Sequence, residues 1–170
     1  MALAIVAIVV AGVFLWPKGA TAPVPPPQVS GPENATYLIE GRPMALAGGS
    51  LEVETAPGSA SKMKVYIFDT PAVGDLNGDG VPDAAVLLAV DSGGSGTFYY
   101  AAAAININGV YKGTNAIFLG DRIAPQTVEI KNGEAIFNYA ERKTGEPMTA
   151  QPSLGVSKYF TVSGGVLVAK

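Results

Sequence analysis

"AAVLLAV", Ala84 to Val90, and "TFYYAAAAI", Thr97 to Ile105, flank "DSGGSG", Asp91 to Gly96. The first run contains no polar residue. It reads as a central strand buried on both faces rather than one that alternates between core and solvent. Taken alone, the four alanines of the second run would propose a helix. Phe98, Tyr99 and Tyr100 before them, with glycines close by, favour a strand instead. The glycine-rich link then makes the two runs neighbours in a hairpin.

Outward from this pair, short β-type runs alternate with turn signals. "TYLIE" (Thr36 to Glu40), "GR" and "PMALA" (Pro43 to Ala47) read as a hairpin. Leu51 to Thr55, Lys64 to Phe68 and Ala116 to Leu119 read as further strands. The clearest hairpin is "TVEIKNGEAIFNY", Thr127 to Tyr139, because Asn132-Gly133 accepts positive φ at both turn positions. Lys158 to Lys170 repeats the device around Gly164-Gly165. No long segment has a helical period. The expected fold is mainly β: a single antiparallel or mixed sheet, or a sandwich, of roughly nine or ten strands, behind an N-terminal apolar helix. About 135 residues from position 34 onward suffice to bury a core.

Composition narrows the chemistry. The chain has 170 residues, 48% of them hydrophobic and 15% charged, and a formal net charge of -3. That balance lacks the clustered basic face of a nucleic-acid binder. With no cysteine, disulfides, thiolate metal sites, lipid-modified cysteine anchors and cysteine nucleophiles are excluded. With no histidine, the commonest general base and transition-metal ligand are gone. A bound metal would have to be hard and oxygen-ligated.

Ala2 to Trp16 is apolar throughout and is followed by Pro17 and Lys18. Its length lies between a signal-peptide core and a full membrane span. Residues 1–17 are read as an uncleaved membrane anchor. The alternatives are a signal segment cleaved near Ala20-Thr21-Ala22 and a buried core helix. The first two export the rest of the chain, to the extracytoplasmic side of the cell envelope. Residues 18–33 contain "PVPPP" (Pro23 to Pro27) and read as a proline-rich stalk. Residues 34–170 form the β-rich domain.

"GDLNGDGVPDAAVLL", Gly74 to Leu88, carries the strongest chemical signal. Asp75, Asn77, Asp79 and Asp83 stand at positions 1, 3, 5 and 9 of a D-x-N-x-D-G-x-x-D pattern. Such alternating oxygen donors can converge on one point. Gly80 permits the turn at position 6, and the carbonyl of Val81 is the natural backbone ligand at position 7. Ca2+ tolerates this mixture better than magnesium. An EF-hand would close with a glutamate at position 12, where this chain has Val86 inside the apolar run. Asp69 is an additional candidate ligand. Asp, Asn and Gly also favour tight turns without any ion.

The same stretch resembles the calcium loops of FG-GAP repeats in integrin-type propellers, where "GDxNGDGxxDxxV" feeds a strand. It is also similar to the first half of a dockerin repeat. The resemblance covers about 15 residues and implies Ca2+ held by Asp75, Asn77, Asp79, Val81 and Asp83. Both families use several copies of the motif, and this chain has one, so a propeller is not implied. "GGSGTFYY", "GDRIAPQT" and "GVSKYF" look like stretches of small, uncharacterised, exported bacterial proteins.

Other signals are weaker. Ser59-Ala60-Ser61-Lys62 and Lys143-Thr144-Gly145 match S-x-x-K and K-T-G of serine β-lactamases, but the first precedes a strand rather than opening a helix. Tyr99, Tyr100 and Tyr111 could line a carbohydrate site, or simply pack. Tyr139 to Met148 reads as a solvated loop with exposed ion pairs. The combined expectation is a membrane-tethered, calcium-stabilised, non-catalytic surface module that binds a protein partner or self-associates. The alternatives are a small metal-dependent hydrolase and a subunit of an extracellular filament.

Overall fold

The computed structural model describes residues 31–55 and 58–170. The expected anchor and most of the expected stalk lie outside these residues. The fold is mainly β, as expected. It is built from two facing sheets, and it has more strands than the sequence suggested. Pro32–Asn34 forms a single 3-10 turn, drawn into the fold where Tyr37 Oη donates to the Pro32 carbonyl at 2.7 Å.

The first sheet contains β1 (Thr36–Ile39), β2 (Arg42–Ala45), β3 (Ser50–Glu54), β4 (Lys62–Ile67), β6 (Asp83–Asp91), β7 (Thr97–Ile107) and β9 (Asn115–Asp121). Their spatial order is β2-β1-β9-β7-β6-β4-β3. Two short strands extend it: β5 (Ala72–Gly74) beside β6, and β8 (Val110–Gly113) beside β7. Neighbours run antiparallel except for the brief parallel contact of β1 with β9, Leu38 to Asn115 and Ile39 to Ala116. The second sheet is the antiparallel ladder β10 (Ala124–Lys131), β11 (Glu134–Glu141), β12 (Leu154–Ser163) and β13 (Val166–Ala169).

The reading of the central pair decides the architecture. β6 is buried from Asp83 to Val90 on both faces. Ala85, Leu87 and Ala89 enter one core, which they share with Phe137, Tyr139, Phe160 and Leu167 of the second sheet. Ala84, Val86, Leu88 and Val90 enter another, shared with Tyr37, Ile39, Met44 and Val65 from the curled flanks of the first sheet. β7 divides its side chains in the same way, Ala101 and Ala103 into the first core and Ala102 and Ala104 into the second. The register sets Ala84 against Ala104, Ala85 against Ala103, Val86 against Ala102 and Leu87 against Ala101. Small side chains at the middle of the sheet leave room for the large rings that approach from both sides, which explains the alanine run.

The two sheets are also joined by polar contacts. Asn115 mimics a neighbouring strand: its Nδ2 donates to the Leu167 carbonyl at 3.1 Å, and its Oδ1 accepts the Leu167 N–H at 2.8 Å. Gly74 approaches β10 so closely that a Cβ there would lie 2.8 Å from Ile130 Cγ2. The hairpin turn at Asn132-Gly133 has φ of 53° and 75°, as its sequence demands.

Ala103 is fully buried in the core between the sheets. Ala103→Leu adds three carbons where both walls are packed, and it is expected to lower stability by about 1–3 kcal/mol. Equilibrium urea unfolding measures the loss. Ile107→Leu, at a half-exposed position of the same strand, serves as the near-neutral control.

Candidate metal centre

β5 ends at Gly74 and β6 begins at Asp83, so the acidic loop is the connection between two paired antiparallel strands. Gly78 and Gly80 take φ of 82° and 79°, values an L side chain rarely adopts, and these let the loop coil tightly. Leu76 points inward and is buried in the core between the sheets, which pins the coil from below.

The carboxylates collect backbone N–H groups. Asp75 Oδ1 accepts from Gly78 at 2.7 Å and from Asn77 at 3.2 Å, and Oδ2 accepts from Gly80 at 3.0 Å. Those bonds, from Gly78 first and Gly80 next, stabilise the ionised form and lower the Asp75 pKa. Asn77 Oδ1 accepts the Asp79 N–H at 2.9 Å, and Asp79 Oδ1 accepts the Val81 N–H at 2.7 Å. Asn77 Nδ2 also donates to Asp79 Oδ2 at 3.0 Å.

Asp83 behaves differently. It is fully buried, and its two oxygens face different elements. Oδ2 accepts the Leu76 N–H at 3.0 Å and Oδ1 accepts the Asn106 N–H at 2.9 Å. Next to it, the Pro82 carbonyl accepts from Tyr111 Oη at 3.2 Å and from Asn106 Nδ2 at 3.4 Å. Asp83 therefore clamps the loop to the end of β7. Asn106 is its partner across the sheet, Tyr111 holds the adjacent Pro82, and the sequence did not single out Asn106. The available signal was Asn108-Gly109, whose turn (φ 54° and 87°) folds β8 back on β7 and aligns Asn106 with Asp83.

The donor set is made entirely of hard oxygens, which suits calcium chemistry. Among the described residues, no group of three or more acidic side chains is placed so that it could hold a metal ion. The geometry accounts for this. Asp83 is turned inward as a clamp, which leaves Asp75, Asn77 and Asp79 to form the outer rim, with Val81 following them in the loop. Asp79 accepts one N–H bond at each oxygen and so keeps acceptor capacity, because an ionised carboxylate offers about four lone-pair sites, whereas Asp75 Oδ1 already accepts two. The Asn77 amide takes one of the Asp79 oxygens that a hard cation would use. None of the ion pairs formed among the described residues involves the loop.

Asp69 is not gathered with the rim. Its carboxylate accepts the adjacent Thr70 N–H at 2.7 Å, and it lines a small cavity of about 10 Å³ with Leu87, Ile123 and Tyr139. The other candidates have structural duties. Tyr99 stacks edge-on against Phe68, and Tyr100 Oη donates to Glu40 Oε1 at 2.9 Å. Ser59 Oγ accepts the Ser61 N–H at 3.1 Å, and Lys62 pairs with Glu52. Arg142 corrects the reading of its loop as solvated ion pairs. Its guanidinium donates to the carbonyls of Ala150 at 2.7 Å and Arg122 at 3.0 Å, and so fastens the loop to the sheet.

No protein-family model, no curated protein and no solved structure matches this chain.

Two outcomes are expected. Asp83→Asn keeps the shape but places an NH2 against a backbone N–H where an acceptor is required. A buried mismatch of that kind costs about 1–3 kcal/mol, readable in urea unfolding with or without calcium. The Asp75 carboxyl, whose folded pKa lies below its unfolded value, contributes stability above the unfolded pKa, and this is lost as pH falls through the folded one. Stability is therefore expected to decline below about pH 4. Asp75→Asn is expected to flatten that part of the profile of melting temperature against pH.

Proposed function

We propose that this chain is an exported, membrane-tethered β-domain, stabilised by one calcium ion, that acts as a non-catalytic surface binding or structural module. The observation that carries the calcium part is the division of labour in the acidic loop. Asp83 holds the loop in place from inside, while Asn77 and Asp79 are exposed and Asp79 keeps acceptor capacity; Asp75 and the Val81 carbonyl complete the proposed donor set. Two carboxylates on a short coil repel each other, and a bound cation would relieve that repulsion. The export and tethering parts rest on the apolar segment 1–17 and the proline-rich residues that follow it.

A structural role for the ion is supported by the surroundings of the rim. Its polar neighbours are backbone N–H groups and the Asn77 amide, which orient the carboxylates. The rim carboxylates lie in the coil that leads into a strand shared by both cores, so an ion there would act on the stability of that coil.

The test is thermal unfolding of the full chain in detergent micelles, with calcium and with a chelator, beside Asp79→Ala. At 100 times its dissociation constant, a ligand specific for the folded state adds about 2.7 kcal/mol. A calcium-dependent rise in melting temperature that Asp79→Ala removes is the expected result. Superimposable curves for the wild-type chain would overturn the calcium reading and reduce the loop to a hydrogen-bonded turn.

A further inference from the structure

A groove on the described surface has a volume of about 550 Å³. It runs along the outer side of β8, and its walls include Leu38, Ile107, Val110, Tyr111 and Lys112. Three of these are apolar side chains left open to solvent: Leu38 is 44% exposed, Ile107 52% and Val110 50%. Contiguous exposed apolar surface of this kind usually marks a place that something covers.

The topology explains the opening. β8 pairs with β7 along one side, from Val110 to Gly113. On its other side β1 pairs in parallel only with the chain beyond β8, Leu38 to Asn115 and Ile39 to Ala116, and it touches β8 where Thr36 and Tyr37 lie against Gly113. Had the chain continued upstream in line with β1, it would have run beside β8. Instead it leaves the extended form at the 3-10 turn Pro32–Asn34, which lies near β8 without pairing with it. Asn34, Ala35 and Thr36 form the rim of the groove, so the described chain begins at its edge, at Gly31.

We propose that the groove is the docking site for Pro23–Val29 of this same chain, a reading independent of the calcium ion. That stretch, "PVPPPQV", has four prolines, two valines and no charge. Its side chains match an apolar groove in which Lys112 is the one charged residue among the described residues that line it. Four of its seven residues lack a backbone N–H, so covering them leaves few donors without a partner. At about 3.1 Å per residue in a polyproline conformation, the eight steps from Gly31 back to Pro23 reach about 25 Å, enough to fold back over a groove that starts three residues from Gly31. A short tether of this length gives an effective concentration in the millimolar range, so the segment outcompetes a second copy of the chain at ordinary protein concentrations. On this reading, residues 18–33 are not a free spacer; part of the stretch fixes the orientation of the domain on its anchor.

The absence of cysteine makes the test clean. Gln28→Cys in the full chain, labelled with a nitroxide in detergent micelles, is the probe, and broadening of backbone amide NMR signals is the readout. Broadening of Leu38, Ile107 and Val110 that does not change on tenfold dilution is expected, with relief in the labelled chain that also carries Val110→Asp. Unchanged β6 signals in that double variant show that the domain is still folded. Broadening lost on dilution would assign the groove to a second copy and overturn the proposal. Broadening by doxyl lipid in the micelle, with none from the nitroxide at position 28, would assign it to the membrane surface and also overturn it. So would the absence of broadening from either source, or broadening that Val110→Asp leaves intact.

Discussion

The structure depends on burying β6 and β7 on both faces at once. A strand pair with no polar side chain from Ala84 to Leu88 and from Ala101 to Ile105 cannot present either face to water without losing about 25 cal/mol for each Å² left exposed. One face is covered by the second sheet, through Phe137, Tyr139 and Phe160. The other is covered by the first sheet itself, whose flanking strands bend round to bring in Tyr37, Ile39 and Val65. The curl of the large sheet and the presence of a second sheet answer the same demand. The alanines set its limits. Because they are short, the covering layers must supply the bulk, and the rings that do so are among the most deeply buried side chains in the chain.

This demand was legible in the sequence because it was written in unbroken runs. The apolar run of β6, the aromatic start of β7 and the Asn132-Gly133 turn are each local signals, and each produced the expected strand or hairpin. The partition into two sheets was not legible. It depends on which face of each strand meets which layer, and a strand buried on both sides carries no alternation to say so. β5 and β8 were missed for a different reason. With three and four residues, they are too short to show a period, and they exist because longer strands lie alongside them.

The candidate site was legible to a similar degree. The order Asp75, Asn77, Asp79 and Gly80 predicted a tight acidic coil, and the positive φ of Gly78 and Gly80 agrees with that geometry. The role of Asp83 could not be read from the chain. Spacing presents it as a fourth ligand, but its carboxylate is wholly buried and both of its oxygens accept backbone N–H bonds from other elements. Spacing along the chain says how far apart two groups are, not which way each turns. Here the turn is decided by Asn106, 23 residues away, and nothing near Asp83 in sequence names that partner.

A buried carboxylate without a cationic partner ordinarily carries a large desolvation cost, and Asp83 has no ion pair among the described residues. It is tolerated because charge-assisted bonds to the Leu76 and Asn106 N–H groups replace water at both oxygens, and such bonds are stronger than neutral ones. The same two bonds join the loop, the first residue of β6 and the end of β7. The loop's footing is thus set by the protein's own donors. A cation at the rim would therefore have little to do in placing β6. Its influence would fall on the outer coil, Asp75 to Val81, where two negative charges are held close together and where the Asn77 amide now occupies one of the oxygens that an ion would take.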